Sequence, residues 1–212
     1  MTEVASDHDH EHHKDNSLDR LLFFSDGVFA IAITLLAIEL HVPHGWDGTW
    51  ATLVRESWQM LAAFVLSFAV VGIFWNAHRR LFMGMTRFTT GVFVLNLALL
   101  GGIALMPFVT VIMYTPPVTI QTFAIYLGLV SLIGLASGLT YGYAAFVAKV
   151  MRPHRHPVRR LAIMLMQTLM PGACCGLSLT FFAQAPFWIT GGLALIVVGL
   201  VVFLSWANRR YP

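Results

Sequence analysis

The chain has 212 residues, 58% of them hydrophobic and only 11% charged, with a formal net charge of +3. Soluble domains carry about 25% charged residues, so this composition excludes an ordinary soluble enzyme or binding module. A mean hydropathy of +0.74 points to an integral membrane protein instead, and the adjacent pair Cys174 and Cys175 does not supply a disulfide framework, because neighbouring cysteines rarely bridge each other.

Residues 1–16, MTEVASDHDHEHHKDN, lack the apolar core that a signal peptide needs, and their polarity predicts a disordered cytosolic tail. The histidines within it, His8, His10, His12 and His13, have no second cluster of ligands to complete a metal site, so no metal or cofactor is expected. Residues 17–212 then read as one membrane domain. Apolar stretches of spanning length, about 20 residues each, run over 18–40, 52–77 (ending at HRR), 89–113 (stopping at YTPP), 118–149, 158–182 and 186–207 (ending at NRR). Pro107 and Pro171 fall inside their segments and predict kinks. The expected fold is all-α, a bundle of six transmembrane helices.

The basic residues set the orientation. With six spans and the N-terminus inside, twelve of the thirteen lysines and arginines fall on the cytosolic side and only Arg55 falls outside. Both termini are therefore expected in the cytosol. The basic charge is a topology signal and predicts no nucleic-acid partner. All ten acidic residues lie at or before Glu56, and spans three to six hold no internal charge. No nucleophile, metal cluster or acid–base pair appears in the spans, so the chain is not expected to be an enzyme.

The informative segment is RLLFFSDGVFAIAITLLAIEL, residues 20–40. A charge near mid-membrane costs roughly 2.5–3.5 kcal/mol on insertion scales, so Asp26 needs a partner or a function. At about 100° per residue, Ile31, Thr34 and Ile38 share one helix face, with Gly27 close to it, while Asp26 points roughly 140° away from Ile31. The aspartate is then expected to look into the bundle. Trp75 and His78 at the end of the second span and Asn96 in the third carry donors suited to a carboxylate.

Arg20, then three residues, then Phe24-Ser25-Asp26 followed by GVFAIAITLLAIEL, resembles the signature first helix of the transmembrane protein 175 potassium channels. FWNAH at 74–78 and NLALLGGIALMPF at 96–108 extend the resemblance. It implies a prokaryotic, multi-pass plasma-membrane protein with one six-span repeat per chain, assembled as a homotetramer whose four first helices line a pore for potassium ions. Position by position it implies a pore constriction at Ile31 and Ile38, a selectivity layer at Thr34, and a signature motif at Arg20, Phe24, Ser25 and Asp26. Many members carry two histidines at the end of the second span. Here the second is Arg79.

Competing readings are distinguishable. TYGYA at 140–144 looks like an ordinary potassium-channel filter, but that filter needs a re-entrant loop opening to the outside, and this stretch lies in the cytosolic half of a long apolar run. A weakly selective cation or proton channel, or a secondary transporter with Asp26 as its coupling site, is the alternative function. Transporters usually show related halves and broken helices, and neither is evident here.

Overall fold

The computed structural model describes residues 3–43 and 45–152. The fifth and sixth expected spans, Pro171 and the two cysteines lie outside the described residues. Four helices account for most of what is described: α1 (Glu3–Ile38), α2 (Trp50–Met83), α3 (Thr90–Tyr114) and α4 (Ile120–Gly142), the last continued by a π-helix over Tyr143–Val147. Each supplies a segment long and apolar enough to cross a membrane: Ser17–Ile38, Trp50–Met83, Thr90–Tyr114 and Ile120–Val147. The first four expected spans are thus present as helices, and TYGYA is helical throughout.

Helix ends depart from the apolar runs for local reasons. The backbone of α1 is helical from Glu3, upstream of the span itself, so the stretch expected to be disordered is helical here over 3–16. Extending an existing helix avoids the cost of nucleation. α2 passes through Arg79 and Arg80 and stops only at Gly84, because long basic side chains reach the interface without disturbing the backbone. At its start, Thr49 caps the helix by accepting from the Thr52 N–H at 3.3 Å. Asp47 braces that cap, accepting from the Thr49 N–H at 2.9 Å and from the hydroxyls of Thr49 and Thr52 at 2.8 and 2.9 Å. These three donors, the Thr49 backbone N–H foremost, hold the Asp47 carboxyl below the usual carboxylate range.

α3 is the central helix. Half of its apolar window is buried, against 22–33% for the other three, and it packs on α1, α2 and α4. One apolar cluster is built around Phe29, Leu36, Leu99, Ile103, Met106 and Ile133. A second, around Leu21, Leu81, Phe82, Val92, Tyr141 and Val150, closes the arginine-rich end.

Helices do not gain hydrophobic free energy from each other in lipid, so close backbone approach and buried hydrogen bonds hold them together. Gly102 is buried where α3 meets α4, and a Cβ there would sit 2.5 Å from Ile133 Cγ1. Its neighbour Gly101 meets nothing within 4 Å. Gly102→Ala is expected to cost about 1–3 kcal/mol by overpacking, while Gly101→Ala leaves stability the same or slightly raised, since alanine is the better helix former. Unfolding of the two variants in mild detergent, compared with the parent, checks this pair.

Candidate functional site in the first helix

The buried and exposed faces of α1 separate cleanly. Leu21, Ser25, Phe29, Ala32 and Leu36 point into the bundle, at the three- and four-residue spacing that keeps one face inward. Gly27, Ile31, Thr34 and Ile38 are exposed, and at 60% and 72% exposure the two isoleucines have no described helix over them. Phe24 and Arg20 are also exposed. The stripe inferred from helix geometry lies on the exposed side of α1, where Phe23 and Leu35 are exposed as well. Thr34 spends its hydroxyl hydrogen on the Ile31 carbonyl at 2.9 Å, and its oxygen lone pairs remain on the outer side of that bond.

Asp26 does not gather all three expected donors. The Trp75 indole N–H donates to its carboxylate at 2.8 Å, and the Arg79 guanidinium lies 5.9 Å from the centre of the same indole, a cation–π contact. His78 and Asn96, expected to serve Asp26, instead join Ser25 in a separate chain. Ser25 donates to the Leu21 carbonyl at 2.8 Å. The Asn96 amide NH2 donates to Ser25 Oγ at 3.0 Å. His78 Nε2 faces Asn96 Oδ1 at 2.8 Å. Hydrogen counting fixes each role. Ser25 has one hydrogen and uses it on Leu21, so it can only accept from Asn96. The amide must then turn its NH2 to Ser25 and its oxygen to His78, and the imidazole must carry its proton on Nε2.

All three side chains of this chain are essentially inaccessible, at 0–1% exposure. The His78 ring is stacked on Phe82 at 4.3 Å and tilted against Phe29 at 5.4 Å, and its Nδ1 has no hydrogen-bond partner among the described residues. Position on the helix separates the two residues. Asp26 is half-buried on the flank of α1, whereas Ser25 is the residue that points straight at α3.

A second polar cluster was not anticipated from the sequence. Ser67, Thr110 and Tyr126, from α2, α3 and α4, are buried and linked, with Thr110 Oγ1 2.8 Å from Ser67 Oγ and Ser67 Oγ 3.2 Å from the Tyr126 hydroxyl. Thr110 also reaches the Met106 carbonyl at 2.7 Å. Tyr126 to Ser67 to Thr110 to that carbonyl is the ordering that uses every hydroxyl hydrogen. Isolated hydroxyl residues in three apolar runs were the available signal, but nothing in the runs says that they share a depth and a side.

A family model described as the endosomal/lysosomal potassium channel TMEM175 matches residues 20–107, the stretch that holds both arms of the network. A potassium channel of Streptomyces collinus is 42% identical over 97 residues, which cover 45% of this chain and 47% of the relative. The endosomal/lysosomal proton channel TMEM175 of Bos taurus is 37% identical over 105 residues, covering 44% of this chain and 22% of that protein. The matches thus span about half the length of the bacterial relative and a smaller share of the bovine one. Among solved structures, a lysosomal potassium-selective channel TMEM175 homologue from Chamaesiphon minutus superimposes with a TM-score of 0.62 at 25% identity, covering 89% of this chain and 98% of that one. A variant of the potassium channel MtTMEM175 has the same fold, with a TM-score of 0.58 at 17% identity over 90% of this chain and 93% of that one. The family model, the relatives and the fold agree over the segment that carries the FSD helix, so that residues 20–107 are similar to the TMEM175 family.

Proposed function

We propose that this chain is one subunit of a potassium-selective channel, in which four copies of α1 surround a central pore in a prokaryotic plasma membrane. The observation that carries this reading is the open stripe Ile31, Thr34 and Ile38, opposite a face of α1 locked to α2 and α3 by hydrogen bonds. The relatives named as potassium channels support it. One such helix cannot enclose a path, and a closed ring of identical subunits is the usual solution. Potassium passes as the permeant ion, and no cofactor takes part.

The stripe spans roughly 10 Å of helix axis at about 1.5 Å per residue. A ring of isoleucine offers an ion no oxygen, so an ion there stays hydrated or meets a dewetted barrier. Thr34 brings the one side-chain oxygen on the stripe, with its hydrogen turned back to the helix and its lone pairs free for a cation. A hydroxyl ring that replaces part of a hydration shell favours potassium, which gives up water more readily than sodium. Arg20, Phe24, Ser25 and Asp26 then form the motif that sets the rotation of α1, with Trp75, His78 and Asn96 supporting it.

A second reading, a weakly selective cation or proton channel, is favoured by the vertebrate relatives named as proton channels. A secondary transporter coupled through Asp26 is opposed by the unbroken α1. Purified protein in liposomes under a potassium gradient separates the three. Potassium flux with no coupled ion, well above sodium flux, is the expected result. Equal flux of sodium, or of protons alone, replaces it with the second reading.

Substitutions test the parts. Ile31→Asn or Ile38→Asn is expected to raise current by wetting the constriction, and Thr34→Ala to reduce the preference for potassium over sodium while current persists. If neither current nor preference changes in variants that assemble, the stripe faces lipid. Asp26→Ala strands the Trp75 N–H and is expected to lower the yield of tetramer or stop conduction. A fully conducting tetramer would leave Asp26 as an interface residue only.

The neutral chain beside it is tested by a double-mutant cycle. Ser25→Ala leaves a buried amide N–H unpaired, which costs about 1–3 kcal/mol. The coupling between Ser25→Ala and Asn96→Ala is expected at about 0.6–1.7 kcal/mol, the range for hydrogen bonds between membrane helices. Unfolding in detergent measures it, and zero coupling would remove the bond from the account.

A further inference from the structure

The arginine-rich end of the bundle carries a feature that lies apart from the proposed pore stripe on α1. The loop after α2 and the segment after the π-helix meet in one antiparallel bridge, Met85 opposite Met151. Thr86 N–H donates to the Val150 carbonyl at 2.8 Å, Arg152 N–H to the Gly84 carbonyl at 2.9 Å, and the Thr86 hydroxyl to the same Val150 carbonyl at 2.8 Å. Val150 is fully buried beneath it, and Met85 nearly so. The bridge is therefore a fixed platform.

One residue beyond Thr86 and Val150, the antiparallel register brings Arg87 and Lys149 to the same end of this platform. Two like charges at one end of the same rigid loop pair repel. Both side chains are exposed, and neither has an ion-pair or hydrogen-bond partner among the described residues. Lys149 also sits at φ +52°, a left-handed conformation that lysine seldom adopts and that a constrained loop must impose. Of the carboxylates on α1 toward this end, those whose side chains are described are Asp19 and Asp26, and Asp26 is engaged by Trp75.

The surroundings identify the anion. Arg87 lies between the ends of α2 and α3, and Lys149 two residues past the end of the fourth span, so both stand at headgroup depth. Met83, four residues before Arg87, and Phe146 and Val147, three and two residues before Lys149, are 58%, 41% and 69% exposed. A soluble anion has no use for apolar surface beside two cations, whereas a phospholipid matches both.

We propose that Arg87 and Lys149 hold the phosphate of an anionic phospholipid whose acyl chains run along Met83, Phe146 and Val147. Occupancy relieves the repulsion between the two cations and fastens the bridge to the bilayer surface.

The test uses the full chain reconstituted in phosphatidylcholine vesicles doped with phosphatidylglycerol, then extracted in mild detergent, with co-purifying lipid read by native mass spectrometry. The parent is expected to retain phosphatidylglycerol over phosphatidylcholine. Arg87→Gln and Lys149→Gln are each expected to lower that preference about fivefold, the worth of one basic residue at an anionic surface. The charge-keeping exchange Arg87→Lys with Lys149→Arg retains it and controls for folding. Unchanged preference in the double Gln variant overturns the proposal. So does an equal loss in Arg55→Gln at the opposite end, which marks general charge, and so does displacement of the lipid by millimolar inorganic phosphate, which marks a soluble-anion site.

Discussion

The rotation of α1 about its own axis is the constraint on which the rest depends. In lipid, apolar side chains pack about as well against acyl tails as against each other, so hydrophobicity alone does not fix which face of a membrane helix points inward. Two polar contacts fix it here. The Trp75 indole holds Asp26 from α2, and the Asn96 amide holds Ser25 from α3. The two acceptors are consecutive residues about 100° apart, so the two bonds pin the helix from two directions. A turn of α1 by one residue would break both and leave the buried Asn96 amide N–H without its acceptor.

Charge and neutrality are divided between these contacts for a physical reason. A carboxylate is costly at depth and tolerable near the interface. Asp26 is about one turn inside the arginine-rich end, half-buried, with Arg79 near its indole partner. Ser25 and Asn96 are buried between helices beside His78 and carry no formal charge. The buried arm supplies direction and closeness at low desolvation cost, and the charged arm stays where water and a guanidinium are within reach.

Much of this was legible in the sequence because bilayer thickness is a strong ruler. Spans one to four were readable as apolar runs, and the open face of α1 followed from 3.6-residue geometry. Helix ends were less legible, since hydropathy ignores backbone hydrogen bonding. α2 continues through Arg79 and Arg80 because nothing there stops a helix until Gly84, and its start depends on Asp47, Thr49 and Thr52. The identities of Asp26, Trp75, His78 and Asn96 as a polar set were also readable. Their pairing was not, because pairing depends on which of two adjacent residues on α1 points at α3, and on how many hydrogens each group has left. The Ser67–Thr110–Tyr126 cluster was illegible for the same reason, since it needs three helices to agree in depth.

The polar network also stands at the seam between the two apolar clusters. Phe29 belongs to the larger cluster and Phe82 to the smaller one, and both rings lie against His78. Leu21, whose carbonyl takes the Ser25 hydrogen, packs in the smaller cluster with Val150 from the bridged segment. A shift of that segment therefore acts on Leu21 through packing, and a shift of Leu21 acts on Ser25 one turn above through a hydrogen bond. The exposed face of α1 and the bridge that joins the loops are thus ends of one connected set of contacts.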